Sequence, residues 1–259
     1  MDTFARLAEA VRAGTPVGVA TVVSGVAAPG AKMLVFGDGT RVGSLELGGI
    51  DEQVVADVRE ALRTARAETR RYAQEGLEGA GAIEVFIESH VPKPELVIVG
   101  AGHTSIPLSA YGRIAGFRVV LIDARAAFAS RERFPDVDDI VVAWPHEALA
   151  GERITASTYV AVLTHDAKFE VPLLPILLRS PARYIGVIGS RKTQIARRER
   201  LRQEGFGDAD IARLNGPIGL DIGAVTPEEI ALSVIAEIVA KQHGRSGGSL
   251  SDTLFAPAR

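Results

Sequence analysis

Apolar residues recur along this chain in two rhythms. From Phe4 to Val11 they fall at helical spacing, on Phe4, Leu7, Ala8 and Val11, and Gly14 with Pro16 ends the run. Val17 to Val23 is β-branched and predicts a strand, and Met33 to Phe36 predicts a second. Gly37-Asp38-Gly39-Thr40 then predicts a hairpin turn, because Asp-Gly accepts the positive φ such turns need, with Arg41 to Leu45 as the returning strand. Asp51 to Ala67 predicts a helix that buries Val54, Val55, Val58 and Leu62, and Ala82 to Ile87 predicts another strand. Residues 1–91 therefore read as a small α+β domain.

Pro92-Lys93-Pro94-Glu95 marks a stiff, extended connector. Beyond it the rhythm becomes short, wholly apolar strands alternating with helices. The strands are Leu96 to Val99, Phe117 to Ile122, Ile140 to Ala143, Tyr159 to Leu163 and Tyr184 to Ile188. The helices are Ile106 to Ala115, Val171 to Leu178 and Gln194 to Gln203. Strands that are apolar on both faces and alternate with helices predict a parallel sheet covered on both sides, so residues 95–243 read as a Rossmann-like α/β domain. Residues 244–259, opening Gly-Arg-Ser-Gly-Gly-Ser, read as a flexible tail.

Several strand ends carry candidate chemistry. Val97-Ile98-Val99-Gly100-Ala101-Gly102-His103-Thr104-Ser105 is a strand, a Gly-x-Gly turn and a helix start. Gly100 would make the turn, Gly102 would admit a pyrophosphate to the backbone, and the helix amides would face it. Ser105 stands where the dinucleotide fingerprint has a third glycine. Asp123 closes the next strand at the spacing of a ribose-binding acid. Thr164-His165-Asp166 follows a later strand, and the point where strand order reverses should bring it opposite the glycine turn. The alternative is a histidine and acid that cap the next helix. Gly189-Ser190-Arg191-Lys192 also follows a strand and joins a hydroxyl and two cations into an anion site, or else is a helix cap with solvated charges. Pro217 to Ala224 brings Asp221 and its glycines to the pocket's far side, and Thr226-Pro227 with Glu229 predicts a capping box. His103, Asp123, His165 and Asp166 match no known metal-ligand spacing, so no metal site is expected.

Composition narrows the classes. With 47% hydrophobic and 24% charged residues among 259, the chain is ordinary globular material, and a net charge of -3 draws it to neither nucleic acid nor anionic lipid. The basic stretch from Arg191 to Arg202 recurs at helical spacing and reads as a solvated face. There is no cysteine, which removes disulfides, thiolate ligands and thiol nucleophiles. The start Met1-Asp2-Thr3-Phe4 lacks a signal-peptide pattern, and no apolar run reaches the ~20 residues of a membrane span. A cytoplasmic protein is expected.

Together these segments resemble the xanthine dehydrogenase accessory protein family, XdhC/CoxI. The resemblance rests on Gly100-Ala101-Gly102-His103, on Asp123-Ala124-Arg125 with Arg133-Phe134-Pro135, on Thr164-His165-Asp166, on Tyr184 to Lys192, and on Pro217 to Ala224 with Thr226 to Ile230. The N-terminal match is weaker. Pro29 to Val35 fits the family's early motif, but Gly48-Gly49-Ile50-Asp51 sits where the family usually has Gly-Gly-Cys and an acid. A Gly-Cys-Gly-Gly-type segment near Gly76 to Gly81 is also missing. The resemblance implies an accessory protein without turnover. It would bind molybdenum cofactor, as molybdopterin or its dinucleotide form, and assist its sulfuration and insertion into a client molybdenum hydroxylase of xanthine dehydrogenase, aldehyde oxidase or carbon monoxide dehydrogenase type. A cysteine desulfurase partner and a homodimer are further expectations. The residues alone leave an NAD(P)-dependent oxidoreductase open, with Asp123 on the ribose and His165 as general acid or base. A Rossmann domain that only docks a client is a third possibility.

Overall fold

A computed structural model describes residues 3–25, 29–73 and 82–253. The chain divides into two compact units, residues 1–92 and 93–259. The first contains α1 (Thr3–Arg12), β1 (Val17–Ser24), β2 (Lys32–Phe36), β3 (Arg41–Gly43), α2 (Gly49–Thr64), β4 (Glu68–Tyr72) and β5 (Ile83–His90). Its strands form a five-stranded sheet in the order β3-β2-β1-β5-β4, antiparallel throughout. Alternating strand residues sort to two faces. Ala20, Val22, Met33, Val35 and Val85 pack with Val54 and Val58 of α2, while Val17, Val19 and Leu34 pack with Ala10 of α1.

The family's Gly-Gly-Cys-acid position can be read directly. Ile50 fills the core beneath α2. Asp51 is buried and accepts from Ser44 Oγ at 2.7 Å and from the amides of Leu45 and Leu47 at 3.3 and 3.2 Å. The acid pins the loop ahead of α2, which is a structural task. The Gly76–Gly81 stretch lies outside the described residues.

The second unit runs β6 (Glu95–Val99), α3 (Ser105–Ile114), β7 (Arg118–Ile122), β8 (Asp139–Val141), α4 (Pro145–Ala148), β9 (Thr158–Val162), α5 (Ala167–Arg179), β10 (Tyr184–Val187), α6 (Arg191–Gln203), α7 (Asp208–Ile211), β11 (Leu214–Asn215), α8 (Pro227–Gln242) and α9 (Leu250–Thr253). The six-stranded sheet is parallel, in the order β11-β10-β9-β6-β7-β8. Leu96, Ile98, Leu121 and Ala161 face α3 and α8, while Val97, Val99, Val120 and Val162 face α5 and α6. This double burial explains why the strands carry no polar alternation. Strand order reverses between β6 and β9, so their carboxyl ends open the crevice in which such sheets bind ligands.

Several elements differ from these expectations. Glu68–Tyr72 is an edge strand, and Leu214–Asn215 extends the parallel sheet; neither was predicted. The fifth helix starts at Ala167, ahead of the expected Val171. Within the expected tail, Leu250–Thr253 forms a helical turn, and residues 254–259 lie outside the described residues. Among the described residues no helix is long and apolar enough to cross a membrane.

Candidate functional site

The site begins at the end of β6. Gly100 has φ of 102°, and an added Cβ there would stand 3.2 Å from the Thr164 amide nitrogen, so the turn and the approach of β9 both require glycine. Gly102 differs. Its backbone is outside the left-handed region, and an added Cβ would meet nothing within 4 Å. The amides of Gly102, His103 and Thr104 have no hydrogen-bond partner among the described residues, and α3 starts without a side-chain cap. Uncapped amides at a helix start carry partial positive charge and suit an anion. Ser105, in place of the third fingerprint glycine, is fully buried and donates its hydroxyl to Gly100 O, closing the turn from within.

Two sequence expectations fail here. The Ala101 amide is not available, because it donates to Asp123 Oδ2 at 2.8 Å. Asp123 is 0% exposed and does not reach out to a ribose. Its Oδ1 accepts from the Arg125 amide and Nε at 2.9 Å, and its Oδ2 accepts from Arg125 Nη2 at 2.7 Å. Burial alone would raise this acid's pKa, but the Arg125 bonds and the two amides outweigh it and hold the carboxyl below its ordinary value. Arg125 is shifted up in return, first by its hydrogen bond to Asp123. Asp123 is thus a clamp: one carboxylate fixes the glycine turn and aims the guanidinium beside it. The ribose role, on which the dehydrogenase reading leaned, has no carboxylate left to perform it.

The turn after β9 is gathered to the same place. Thr164 is buried and its hydroxyl accepts from the Asp166 amide at 3.1 Å. Asp166 caps α5, accepting from the Lys168 amide at 2.9 Å, and its charge contributes to the upward shift of Arg125. The capping reading therefore holds for Asp166, while His165 is exposed beside it. The turn after β10 is two strands from β6, about 10 Å at ordinary strand spacing. Gly189 has φ of 131°; Ser190 caps α6, accepting from the Thr193 amide at 3.2 Å, which leaves Arg191 and Lys192 exposed. Asp221 is exposed on a loop anchored by Glu237, whose Oε2 accepts from the Gly219 amide at 2.9 Å and from the buried Tyr184 hydroxyl. Hydrogen bonds and charge interactions bring Gly100, Ala101, Asp123, Arg125, Thr164 and Asp166 together; Gly189 to Lys192 and Asp221 stand further along the same sheet edge. Among the described residues no three His, Cys, Asp or Glu side chains converge as a metal site.

Sequence reasoning missed the support under the Gly189 turn. Arg197, with its side chain 2% exposed, forks onto Glu170 at 2.7 and 2.6 Å and donates to Ile188 O at 3.1 Å. Gln194 accepts from Arg197 and donates to Val187 O at 3.1 Å. The basic stretch is thus not a wholly solvated face. Only Arg197's place on the apolar side of α6, aligned with Leu201, hinted at this.

The residues fit a phosphate-bearing ligand. Open space lies over Gly102, the amides of Gly102, His103 and Thr104 are unpaired, and the cations Arg191 and Lys192 stand further along the sheet edge. The second unit is, by topology, a Rossmann-type domain whose switch-point crevice is edged by this turn. Residues 96–238 match the XdhC Rossmann domain, and residues 10–73 match the XdhC and CoxI family. The chain belongs to that family. It is 31% identical over 260 residues to the uncharacterised protein YqeB of Escherichia coli, covering 96% of this chain and 48% of YqeB. It is 34% identical over 155 residues to a Bacillus subtilis protein named as a probable xanthine dehydrogenase subunit, covering 60% and 45% of the two chains. A shorter match, 30% over 93 residues, reaches the molybdenum cofactor insertion chaperone PaoD of Escherichia coli, covering 36% of this chain and 29% of that one. The chain spans about half the length of the first two of these relatives, or less. A crystal structure described as a xanthine dehydrogenase from Bacillus halodurans shares the fold, with a TM-score of 0.55 and 23% identity over 96% of this chain and 99% of that one.

Proposed function

We propose that this protein binds molybdenum cofactor and assists its sulfuration and insertion into a client molybdenum hydroxylase, without turnover of its own. The observation that carries the reading is the space over Gly102, a glycine that neither backbone strain nor packing requires, beside amides left unpaired. A phosphate seated there would accept from the Gly102, His103 and Thr104 amides. Arg191 and Lys192, about 10 Å along the sheet edge, would meet the other end of an extended ligand, with His165 between. The cofactor, when bound, supplies the molybdenum centre that the client uses. This chain supplies phosphate donors and a crevice edge from which the cargo can be handed on. The names of the Bacillus subtilis and PaoD relatives support the maturation role.

With no cysteine among these 259 residues to hold a persulfide, the reading has sulfur delivered by a partner with the chemistry of a cysteine desulfurase. A homodimer is proposed as the working form. The test is mass spectrometry of small molecules released from protein purified anaerobically. Wild type should release a phosphorylated pterin and Gly102→Val should release none, with both folded by circular dichroism. Equal pterin from the two proteins, or none from wild type coexpressed with the cofactor pathway, overturns the reading.

A further inference from the structure

The connection from β7 to β8, residues 123–138, contains no helix and presents an ordered row of rings and guanidinium groups. Phe128 is 45% exposed and Trp144, just beyond β8, is 40% exposed, so both side chains are open to solvent. They are joined through Arg125. Its guanidinium lies 4.6 Å from the Phe128 ring centre and 5.5 Å from that of Phe169, and Trp144 meets Phe169 edge-on at 5.1 Å. Arg133 also approaches the Phe128 ring, at 5.5 Å, and donates to Phe128 O at 2.7 Å, so the loop is held in place. The row is also joined to the glycine turn. Asp123 Oδ2 accepts at once from the Ala101 amide at 2.8 Å and from Arg125 Nη2 at 2.7 Å. A ligand whose phosphate sits over Gly102 therefore has this shelf beside it, on the β7 side of the switch point.

We infer that Phe128, Arg125 and Trp144 form a stacking shelf for a planar heteroaromatic ring joined to the phosphate held at the Gly102 turn. The inference rests on the phosphate reading of that turn and adds the ring. Exposed π faces beside a cation accept such rings through stacking and cation–π attraction, without needing a particular hydrogen-bond pattern. A nucleobase on a diphosphate and a pterin on a phosphate share this chemistry. Neither Phe128 nor Trp144 was read as a ligand contact from sequence, because an isolated aromatic residue in a loop is not distinctive until its neighbours are known.

Trp144 is the only tryptophan in the chain, so its fluorescence reports on the shelf directly. The full-length protein is titrated with pyrophosphate, CDP, ADP and dihydroneopterin triphosphate, by Trp144 quenching and by calorimetry. At least one ring-bearing probe should quench Trp144 saturably and bind about tenfold or more tighter than pyrophosphate, the scale of one stacked base. The tighter of the nucleotide and pterin probes identifies the source of the ring. Phe128→Ala should lose that margin while leaving pyrophosphate affinity unchanged. Phe128→Tyr should restore it, and Phe128→Leu, which keeps bulk without a π face, should not. If pyrophosphate binds as tightly as every ring-bearing probe, or if Phe128→Ala keeps the margin, the shelf is overturned and the phosphate site stands. If no probe binds, the phosphate reading and the shelf fall together.

Discussion

The turns after β6 and β10 both begin with a glycine in the left-handed region, yet their helices start differently. At α6, Ser190 caps the Thr193 amide, and Gln194 and Arg197 beneath it satisfy Val187 O and Ile188 O. The helices α5 and α8 are capped in the same way, by Asp166 and by Thr226, the latter in a capping box with Glu229. At α3 the cap position is Thr104, its side chain makes no capping bond, and the amides ahead of it are left open. The unit thus caps its other long helices and leaves this one uncapped, beside a glycine its own packing does not need, which is what the proposed ligand site requires. The β10 turn is finished within the protein; the β6 turn is not.

Breaking the finished turn should have the largest effect on stability. Arg197→Ala leaves Glu170 buried without its bidentate partner, and Arg200 at 3.5 Å is a weaker substitute. A loss of about 3–5 kcal/mol is expected, read as a lower denaturation midpoint in urea. Full retention of the midpoint would mean that the buried pair does not hold the turn.

Asp123→Asn comes next. It weakens the clamp that joins the β6 turn to Arg125, and should cost about 2–3 kcal/mol at neutral pH, since Arg125 is itself partly solvated. The sign of its pH dependence follows from the direction of the shift. The folded carboxyl titrates below its unfolded value of about 3.9, so its contribution is complete above that pH and is lost as pH falls through the folded value. The gap between wild type and Asp123→Asn should therefore close below about pH 4. A gap that persists on acidification would show that the carboxylate's charge is not what stabilises the clamp.

The same contrast explains what could be read from sequence. Gly100 and the capping box at Thr226 were legible because each local pattern has one geometry that satisfies it. The apolar runs from Leu96 to Ile188 were legible because double burial removes polar residues from a strand. Glu68-Thr-Arg-Arg-Tyr72 was not, since only Tyr72 of this edge strand is buried and its polar surface resembles a loop. Asp123 was found, but its task was misread: an acid at a strand end serves a ribose or a clamp equally well until the next charged residue, Arg125, is seen folded back onto it. The pairing of Glu170 with Arg197 was not legible, because they are 27 residues apart and only Arg197's alignment with Leu201 hinted that either is buried.

Cap deletions make the comparison quantitative at smaller scale. Ser190→Ala should cost about 1 kcal/mol, the usual value of an N-cap side chain. Thr104→Ala, at the corresponding place on α3, removes no capping bond and should stay within about 0.5 kcal/mol of wild type. Thermal melts of the two variants side by side decide it. Equal losses would mean that Thr104 does cap α3 in solution and that its amides are not in reserve.

The smallest expected change in stability is at Gly102. Substitution to alanine adds a methyl group that meets no atom of the protein within 4 Å, at a backbone conformation outside the left-handed region. Removing glycine restricts the unfolded chain, so Gly102→Ala should match wild type or exceed it by up to about 1 kcal/mol. Gly100→Ala provides the contrast, because it combines a left-handed φ with contact at 3.2 Å to Thr164, and it should destabilise clearly. If Gly102→Ala instead unfolds the domain, the glycine is kept for the fold and the open space above it has no bearing on ligands. If the variant is as stable as wild type and no longer retains the ligand, the glycine is kept for what binds there, since the folded chain alone gives no reason for it.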